Sequence, residues 1–330
     1  MARTALEEQK HRRRRRLLRG LLLGGAAIGV PALANLLLAR RTRALEAPVW
    51  GRGHRYAWRF GEIAFQRLGQ GSPVVLLHSF GPGHDAAEWR GVAESLAATR
   101  RVHALDFLGW GRSDKPAMVY DGEVYIRLVA DFLADAVGEP ATVVAAGLAA
   151  AYAIQVAVDR PELVAILGLV APHGLDAGAD EPDLQDALVH RALRLPILGR
   201  SAMNLYTSRA ALRHHLRELV ASPERVDAAL VDHHYRSSHQ PGARYALSAW
   251  LAGYLNHGVE GAVERLSQPV WLAWGREAGA PAVAAADLWL HHLPGAELDV
   301  FEGTGGRPHQ EVPERFSLRL ESFLAAAAGR

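Results

Sequence analysis

The chain has 330 residues, of which 49% are hydrophobic and 22% charged, values typical of a globular protein and not of a disordered one. It contains no cysteine, which excludes disulfides, thiolate catalysis and cysteine-ligated metal. Residues 1–43 hold 11 of the 37 Lys and Arg residues but 2 of the 35 Asp and Glu residues, so the remainder is acidic. Nucleic-acid binding needs basic residues clustered on the folded domain, and we therefore predict no nucleic-acid partner.

An apolar stretch from Gly20 to Ala39 lies between two groups of arginines. Twenty helical residues span about 30 Å, the thickness of the hydrocarbon core, so residues 1–43 are predicted to be a basic arm followed by a single N-terminal membrane span. The more positive N-terminal flank predicts that the body is exported. Two alternatives stay open: a signal segment removed after Ala34, which would leave the body secreted, and a buried or surface helix.

Strand and helix patterns alternate from His54 onward, which predicts an α/β fold with a mostly parallel sheet and flanking helices. A hairpin is expected around Gly61, and short apolar runs predict buried strands at 74–77, 102–105, 142–145, 164–170, 270–274 and 297–301. About 95 residues with only helical patterns separate two of these strands. We therefore predict a core over residues 44–171 and 269–330, and an inserted helical cap over residues 172–268.

Two loops at predicted strand ends carry recognisable motifs. The first is the segment 78–81, His-Ser-Phe-Gly, and the second is the segment 106–114, Asp-Phe-Leu-Gly-Trp-Gly-Arg-Ser-Asp. Together they resemble the α/β-hydrolase family, in particular its lid-containing esterase-like and epoxide-hydrolase-like members. The resemblance implies that the backbone amides of Phe80 and Leu148 form an oxyanion hole, and that Asp106, Gly109 and Gly111 build a structural turn.

The family's catalytic nucleophile sits in a Gly-x-Ser-x-Gly turn between a strand and a helix. Here the corresponding segment, 145–149, reads Ala-Ala-Gly-Leu-Ala, so the small flanking residues are kept while Gly147 stands at the nucleophile position. Glycine has no hydroxyl, and no acyl-enzyme can form there. Glycine also adopts the strained backbone of this turn at little cost.

The other two catalytic positions of the family also carry residues without the required chemistry. Alignment on the segment Trp274-Gly275-Arg276 places Ala278 where the acid is expected, and the stretch 303–309 places Gly306 where the histidine is expected. The nucleophile, the base and the acid are thus all predicted to be absent. Loss of the nucleophile alone, or of the base alone, typically lowers the rate by a factor of about 10⁶.

The resemblance and the three missing groups lead to two functional hypotheses. The first is a membrane-tethered, non-hydrolytic pseudoenzyme that binds an apolar or amphipathic small molecule or a partner. The alternative is an active hydrolase or lyase that acts on esters or similar apolar substrates through the weak candidates Ser79, His78 or His309. No cofactor is expected. The histidines of the cap lack the spacing and carboxylate of a zinc site, so we predict no metal and solvated positions for these histidines.

Overall fold

The computed structural model describes residues 28–42, 44–46, 50–175 and 182–328. Its centre is an eight-stranded sheet with the order β1-β2-β4-β3-β5-β6-β7-β8. The pairs β1–β2 and β2–β4 are antiparallel, and every pairing from β4–β3 to β7–β8 is parallel. The predicted fold class and the predicted strands are confirmed. The strands are β1 (Arg52–Trp58), β2 (Gly61–Leu68), β3 (Pro73–Leu77), β4 (Arg101–Leu105), β5 (Ala141–Ala146), β6 (Val164–Val170), β7 (Val270–Gly275) and β8 (Glu297–Phe301).

Helices cover both faces of the sheet because successive strand residues point to opposite sides. In β3, Val75 and Leu77 pack in the cluster that contains helices α3 and α4, whereas Val74 and Leu76 pack in the cluster that contains α2 and α13. The helices are α1 (28–41), α2 (Arg90–Leu96), α3 (Gly122–Phe132), α4 (Ala149–Asp159), α5 (Leu184–Leu193), α6 (Leu198–Tyr206), α7 (Arg209–Glu218), α8 (Ala228–Ser238), α9 (Ala243–Leu251), α10 (Glu260–Val263), α11 (Ala286–His292), α12 (Pro308–Glu311) and α13 (Pro313–Ala328).

Helices α5 to α10 all lie between β6 and β7 in the chain, within the segment predicted as the cap. Two of them begin with side-chain caps: Asp183 caps α5 in a reciprocal capping box, and Asp227 caps α8 through Leu230 N–H. Buried side chains of α9, such as Ala246 and Leu247, join the main core cluster. This segment is therefore packed onto the core, at the edge where the parallel strands end.

The predicted N-terminal membrane span is contradicted. No helix in the described parts of the chain is long and apolar enough to cross a membrane. The described helix α1 covers residues 28–41, about 20 Å at 1.5 Å per residue, and its Asn35 is buried. The Asn35 amide donates to Ile197 O and Ser201 Oγ, both at 3.1 Å. This part of the segment thus packs against α6, while the basic arm and the first residues of the predicted span lie outside the described residues.

Candidate functional site

A cavity of about 750 Å³ lies at the carboxyl edge of the sheet, beneath the helices inserted between β6 and β7. Ligands of open α/β folds bind at this edge, where the loops after the parallel strands meet. The cavity walls come from the loops that follow β3, β5, β6, β7 and β8, and from cap residues such as Leu219, Trp250 and Leu251. Of the residues singled out from the sequence, Ser79, Phe80, Gly147, Leu148, Gly306 and His309 line it.

The turn after β5 carries Gly147 in the left-handed backbone region, with φ +59°. The Gly147 N–H donates to Val170 O at 2.9 Å and its carbonyl accepts from His173 N–H at 3.2 Å, which ties the turn to the end of β6. A Cβ built on Gly147 would lie 3.6 Å from Ser79 Cβ and 3.7 Å from His173 Cδ2. The position corresponding to the nucleophile therefore faces the cavity, but glycine places no reactive atom there.

The loop after β3 is fixed by His78, whose side chain is fully buried. Its Nε2 accepts from Phe107 N–H at 3.0 Å, so Nδ1 carries the proton and donates to Ser79 O at 2.7 Å. Because both ring nitrogens are hydrogen-bonded, we assign His78 a structural role. The amides of Phe80 and Leu148 lie on two loops that line the same cavity, and neither donates to an acceptor within the described ranges.

The turn after β4 is organised by the carboxylate of Asp106, which is buried. Its Oδ1 accepts from Ala86 N–H and its Oδ2 from Arg112 N–H, both at 2.8 Å. Gly109 and Gly111 have φ +89° and +48°. A Cβ on Gly111 would lie 2.5 Å from Asp106 Oδ2. The Asp106 carboxylate therefore occupies the space that a side chain at residue 111 would need, so the turn requires glycine at this position.

The two remaining triad-equivalent positions lie in loops after β7 and β8. Ala278 is 8% exposed and donates its N–H to Gly275 O at 3.3 Å. It is outside the set that lines the cavity, although Ala280 and Pro281 of the same loop belong to it. Gly306 lines the cavity, and the nearest atom to a Cβ built there is Leu219 O at 3.8 Å. The structure therefore places two of the three positions on the cavity and the third at its margin.

The side chain of His309 lines the cavity and is 1% exposed. The ring stacks on Trp89 with 4.1 Å between centroids. Its Nε2 lies 3.6 Å from Glu88 Oε1, which is too long for a hydrogen bond, and neither ring nitrogen has a hydrogen-bond partner in the described part of the chain. Burial, opposed by the nearby Glu88 carboxylate, lowers the pKa of His309. His309 is accordingly a neutral, buried imidazole at pH 7.

A buried polar cluster that was not predicted from the sequence surrounds Ser79. The Ser79 hydroxyl donates to Glu88 Oε2 at 2.8 Å and lies 3.0 Å from His84 Nδ1. Arg307 Nη2 lies 3.3 Å from the same hydroxyl and 2.7 Å from His84 Nε2. The segment 84–88, His-Asp-Ala-Ala-Glu, directly after a buried strand and its turn, was the available signal. Nothing in the local pattern, however, indicated that Arg307 would join it.

The prediction of solvated cap histidines was wrong for part of the set. The side chain of His214 is 78% exposed, but His234 in α8 is 4% exposed and its Nδ1 lies 3.0 Å from Pro82 O. Burial, the largest effect, lowers the pKa of His234 to about 4, assisted by the positive charge of Arg307 and opposed by the Pro82 hydrogen bond. Burial, and after it the positive charge of Arg307, also lowers the pKa of His215 to about 4.

The buried His234 predicts a loss of stability in mild acid. Above pH 6.5 the imidazole is neutral in the folded and the unfolded chain and contributes nothing. Between pH 6.5 and about 4 only the unfolded chain binds the proton, so the folded state loses stability as the pH falls, by about 2–3 kcal/mol for this residue. We expect His234→Asn, whose amide can keep the bond to Pro82 O, to recover that amount at pH 4.5 in urea unfolding.

The exposed His214 provides the matched control for this prediction. His214→Asn should leave the difference in unfolding free energy between pH 7.5 and pH 4.5 as it is in the wild type. If His234→Asn also left it unchanged, the imidazole would be protonated in the folded state at pH 4.5, and the lowered pKa of His234 would be contradicted.

Comparisons with known proteins agree with this architecture. The sequence profile of the alpha/beta hydrolase family matches residues 74–317, so the chain belongs to the α/β-hydrolase family. An uncharacterized protein of Mycobacterium tuberculosis (strain ATCC 25618 / H37Rv) is 29% identical over 276 residues, which cover 79% of this chain and 77% of the relative. A 2-hydroxymuconate semialdehyde hydrolase of Pseudomonas sp. (strain CF600) is 27% identical over 281 residues, covering 78% and 89%.

Solved structures show the same fold. The crystal structure of a serine hydrolase involved in carbazole degradation superposes with a TM-score of 0.69 at 22% identity, over 83% of this chain and 99% of that one. The chain is thus similar over most of its length to hydrolases of this family.

Proposed function

We propose that this protein is a non-hydrolytic member of the α/β-hydrolase family that binds an apolar or amphipathic small molecule in the cavity between sheet and cap. The observation that carries the proposal is the turn at Gly147. Its backbone geometry and its position on the cavity are those that a nucleophile would need, yet it supplies no hydroxyl. A cavity of about 750 Å³ is within the usual size of small-molecule sites.

The walls of the cavity favour a ligand with an apolar body. Leu148, Leu219, Trp250, Leu251 and Pro281 contribute apolar side chains, and burial of such surface contributes roughly 25 cal/mol per Å². Polar side chains also line the wall, among them Ser79 and Arg307 from the loops after β3 and β8, and Asp186, His215 and Asn256 from the inserted segment. A wall that combines apolar and polar side chains suits an amphipathic molecule.

Binding can be tested by titrating the purified protein with Nile red, a neutral fluorescent apolar probe. We expect saturable binding, and we expect Gly306→Trp to weaken it at least about 10-fold, because the open space at Gly306 lets the indole enter the cavity. Gly295→Trp is the control, since Gly295 is exposed and nothing lies within 4 Å of a Cβ there. Equal binding by both variants and the wild type would contradict the cavity as the site.

A second candidate function is hydrolysis through Ser79, which the relatives' activity and one contact favour. The Ser79 hydroxyl lies 3.0 Å from His84 Nδ1 and on the cavity wall, the spacing of a nucleophile and its base. Burial first, and then the charge of Arg307, lower the pKa of His84 well below its ordinary value. The Ser79 hydroxyl donates its proton to Glu88 and not to His84, and the lowered pKa makes His84 a poor proton acceptor, so we favour the non-hydrolytic function.

A fluorophosphonate probe, which labels activated serines, separates the two functions. We expect no labelling of the wild type and no turnover of p-nitrophenyl esters with acyl chains of two to sixteen carbons. Labelling of Ser79, lost in Ser79→Ala, would favour hydrolysis over the non-hydrolytic function.

A further inference from the structure

The guanidinium of Arg307 is a buried cation on the cavity wall without a hydrogen-bonded carboxylate. Arg307 is 5% exposed, and its described hydrogen bonds go to the neutral acceptors Gln310 Oε1 (3.1 Å), Ser79 Oγ (3.3 Å) and His84 Nε2 (2.7 Å). The nearest carboxylate oxygen, Glu88 Oε2, is 3.8 Å from Nη1, beyond hydrogen-bond distance. Glu88 instead accepts from the Ser79 N–H at 2.7 Å and from the Ser79 hydroxyl at 2.8 Å.

Several other hydrogen-bonding groups that line the cavity lack partners in the described part of the chain. The N–H groups of Phe80 and Leu148 have no acceptor within the described ranges, and Leu148 stands at the N-terminus of α4, where the helix dipole favours an anion. His309 is 1% exposed, lines the cavity, and has two ring nitrogens without described partners. A cation, two amides and an imidazole thus line the same cavity.

The charge around Arg307 fits a monoanion. Arg307 is the cation, and the Glu88 carboxylate 3.8 Å away partly balances its charge. The neighbouring His84, His215 and His309 are kept neutral, because burial and the charge of Arg307 lower the pKa of each. A dianionic phosphate would bring a second negative charge close to Glu88, whose side chain is 3% exposed. The planar guanidinium, by contrast, matches the two oxygens of a carboxylate.

We propose that the part of the cavity wall formed by Arg307 with the amides of Phe80 and Leu148 holds the carboxylate of an apolar monocarboxylic acid. This inference rests on the proposed function and specifies the ligand class of the same site. The site that would stabilise a transient oxyanion in an active relative is used here, with Arg307, for a stable anion. The hydrocarbon part of the acid extends toward Trp250 and Leu251 beneath the cap.

Competition against Nile red with decanoate and with decanol tests the inference at pH 7.5, because the two molecules share a tail length and differ in charge. We expect decanoate to bind about 10–100-fold more tightly than decanol, the range for a charge-assisted bidentate contact. In Arg307→Gln the preference should fall to within about threefold, and Arg307→Lys should retain part of it. Arg319→Gln is the control, since Arg319 is an exposed arginine on α13 paired with Asp299.

The outcomes separate this inference from the proposed function. If the wild type bound decanol as tightly as decanoate, the carboxylate site would be overturned while the apolar cavity stood. If neither molecule nor Nile red bound, the proposed function itself would fail. A preference for decanoate that survived in folded Arg307→Gln would also overturn the inference. The comparison of the two ligands on the wild type decides the matter even if the Arg307 variants do not fold.

Discussion

Replacing Gly275 with alanine is expected to destabilise the native fold strongly. Gly275 ends β7, and the loop after β8 crosses directly over it. A Cβ at this position would overlap the carbonyl oxygen of Gly305 and lie 2.5 Å from that of Thr304. Both obstacles are backbone atoms, so no side-chain rotation relieves them. We expect a loss above about 4 kcal/mol in the free energy of unfolding, a large part of the usual 5–15 kcal/mol.

Urea unfolding followed by far-UV circular dichroism measures this effect, and Gly295→Ala is the matched control. Nothing lies within 4 Å of a Cβ at Gly295, so that variant should stay within about 1 kcal/mol of the wild type. A Gly275→Ala protein as stable as the wild type would show that the 303–307 loop does not lie against β7. The placement of Gly306 and Arg307 on the cavity would then be unsupported.

The sheet could be predicted from the sequence because its strands are short apolar runs bounded by turn residues. The run at 74–77 became β3 and the run at 270–274 became β7, each shifted by one residue at an end. The hairpin expected around Gly61 is also present, with β1 and β2 paired from Trp58–Gly61 to Arg52–Arg67. Strands that are buried on both faces leave this pattern in the chain itself, so no knowledge of long-range contacts was needed.

The prediction of an N-terminal membrane span was wrong because it was based on hydropathy and flanking charge alone. An apolar stretch flanked by arginines has the composition of a span, but hydropathy alone does not say which surface covers the apolar side chains. In the structure Asn35 of α1 also accepts a hydrogen bond from Asn204 Nδ2 at 2.8 Å. A polar side chain within the stretch was the sequence signal for a helix that packs on protein.

The parts of the candidate site that lie at strand ends could be predicted from the sequence. The contacts between side chains far apart in the sequence could not. Gly147 and Gly306 could be placed because each follows a recognisable strand, and parallel strands bring their ends together. The cluster of His84, Glu88 and Arg307 could not, because Arg307 meets His84 across 223 positions in sequence. Isolated charged residues in loops are usually solvated, and only the packing of the loop after β8 shows that these are buried.

Introducing a serine, a carboxylate and a histidine at the three positions that the sequence assigns to a catalytic triad is expected to create esterase activity. The variant combines Gly147→Ser, Ala278→Asp and Gly306→His. A Cβ at residue 147 would make only ordinary contacts at 3.6 and 3.7 Å, and one at residue 306 has no atom closer than 3.8 Å. We expect kcat/KM for p-nitrophenyl butyrate to rise at least about 100-fold over the wild type, a fraction of the roughly 10⁶ that a complete triad contributes.

The controls for this gain distinguish a rebuilt triad from general changes in the cavity. Gly147→Ala with the same two partners adds a Cβ but no hydroxyl, and should stay at the wild-type rate. Gly147→Ser alone lacks the base and should also stay there. Each substitution at residue 147 should lower the free energy of unfolding by about 1–3 kcal/mol, because φ is +59° at this position.

Labelling by a fluorophosphonate gives a second measurement of the rebuilt site. The triple variant should be labelled at the new serine, and the alanine control should not. A folded triple variant with neither labelling nor turnover would mean that the three loops do not hold a hydroxyl, an imidazole and a carboxylate within reach of one another. In that case Ala278, which lies at the margin of the cavity, is the position whose assignment fails first, because Gly147 and Gly306 both line the cavity directly.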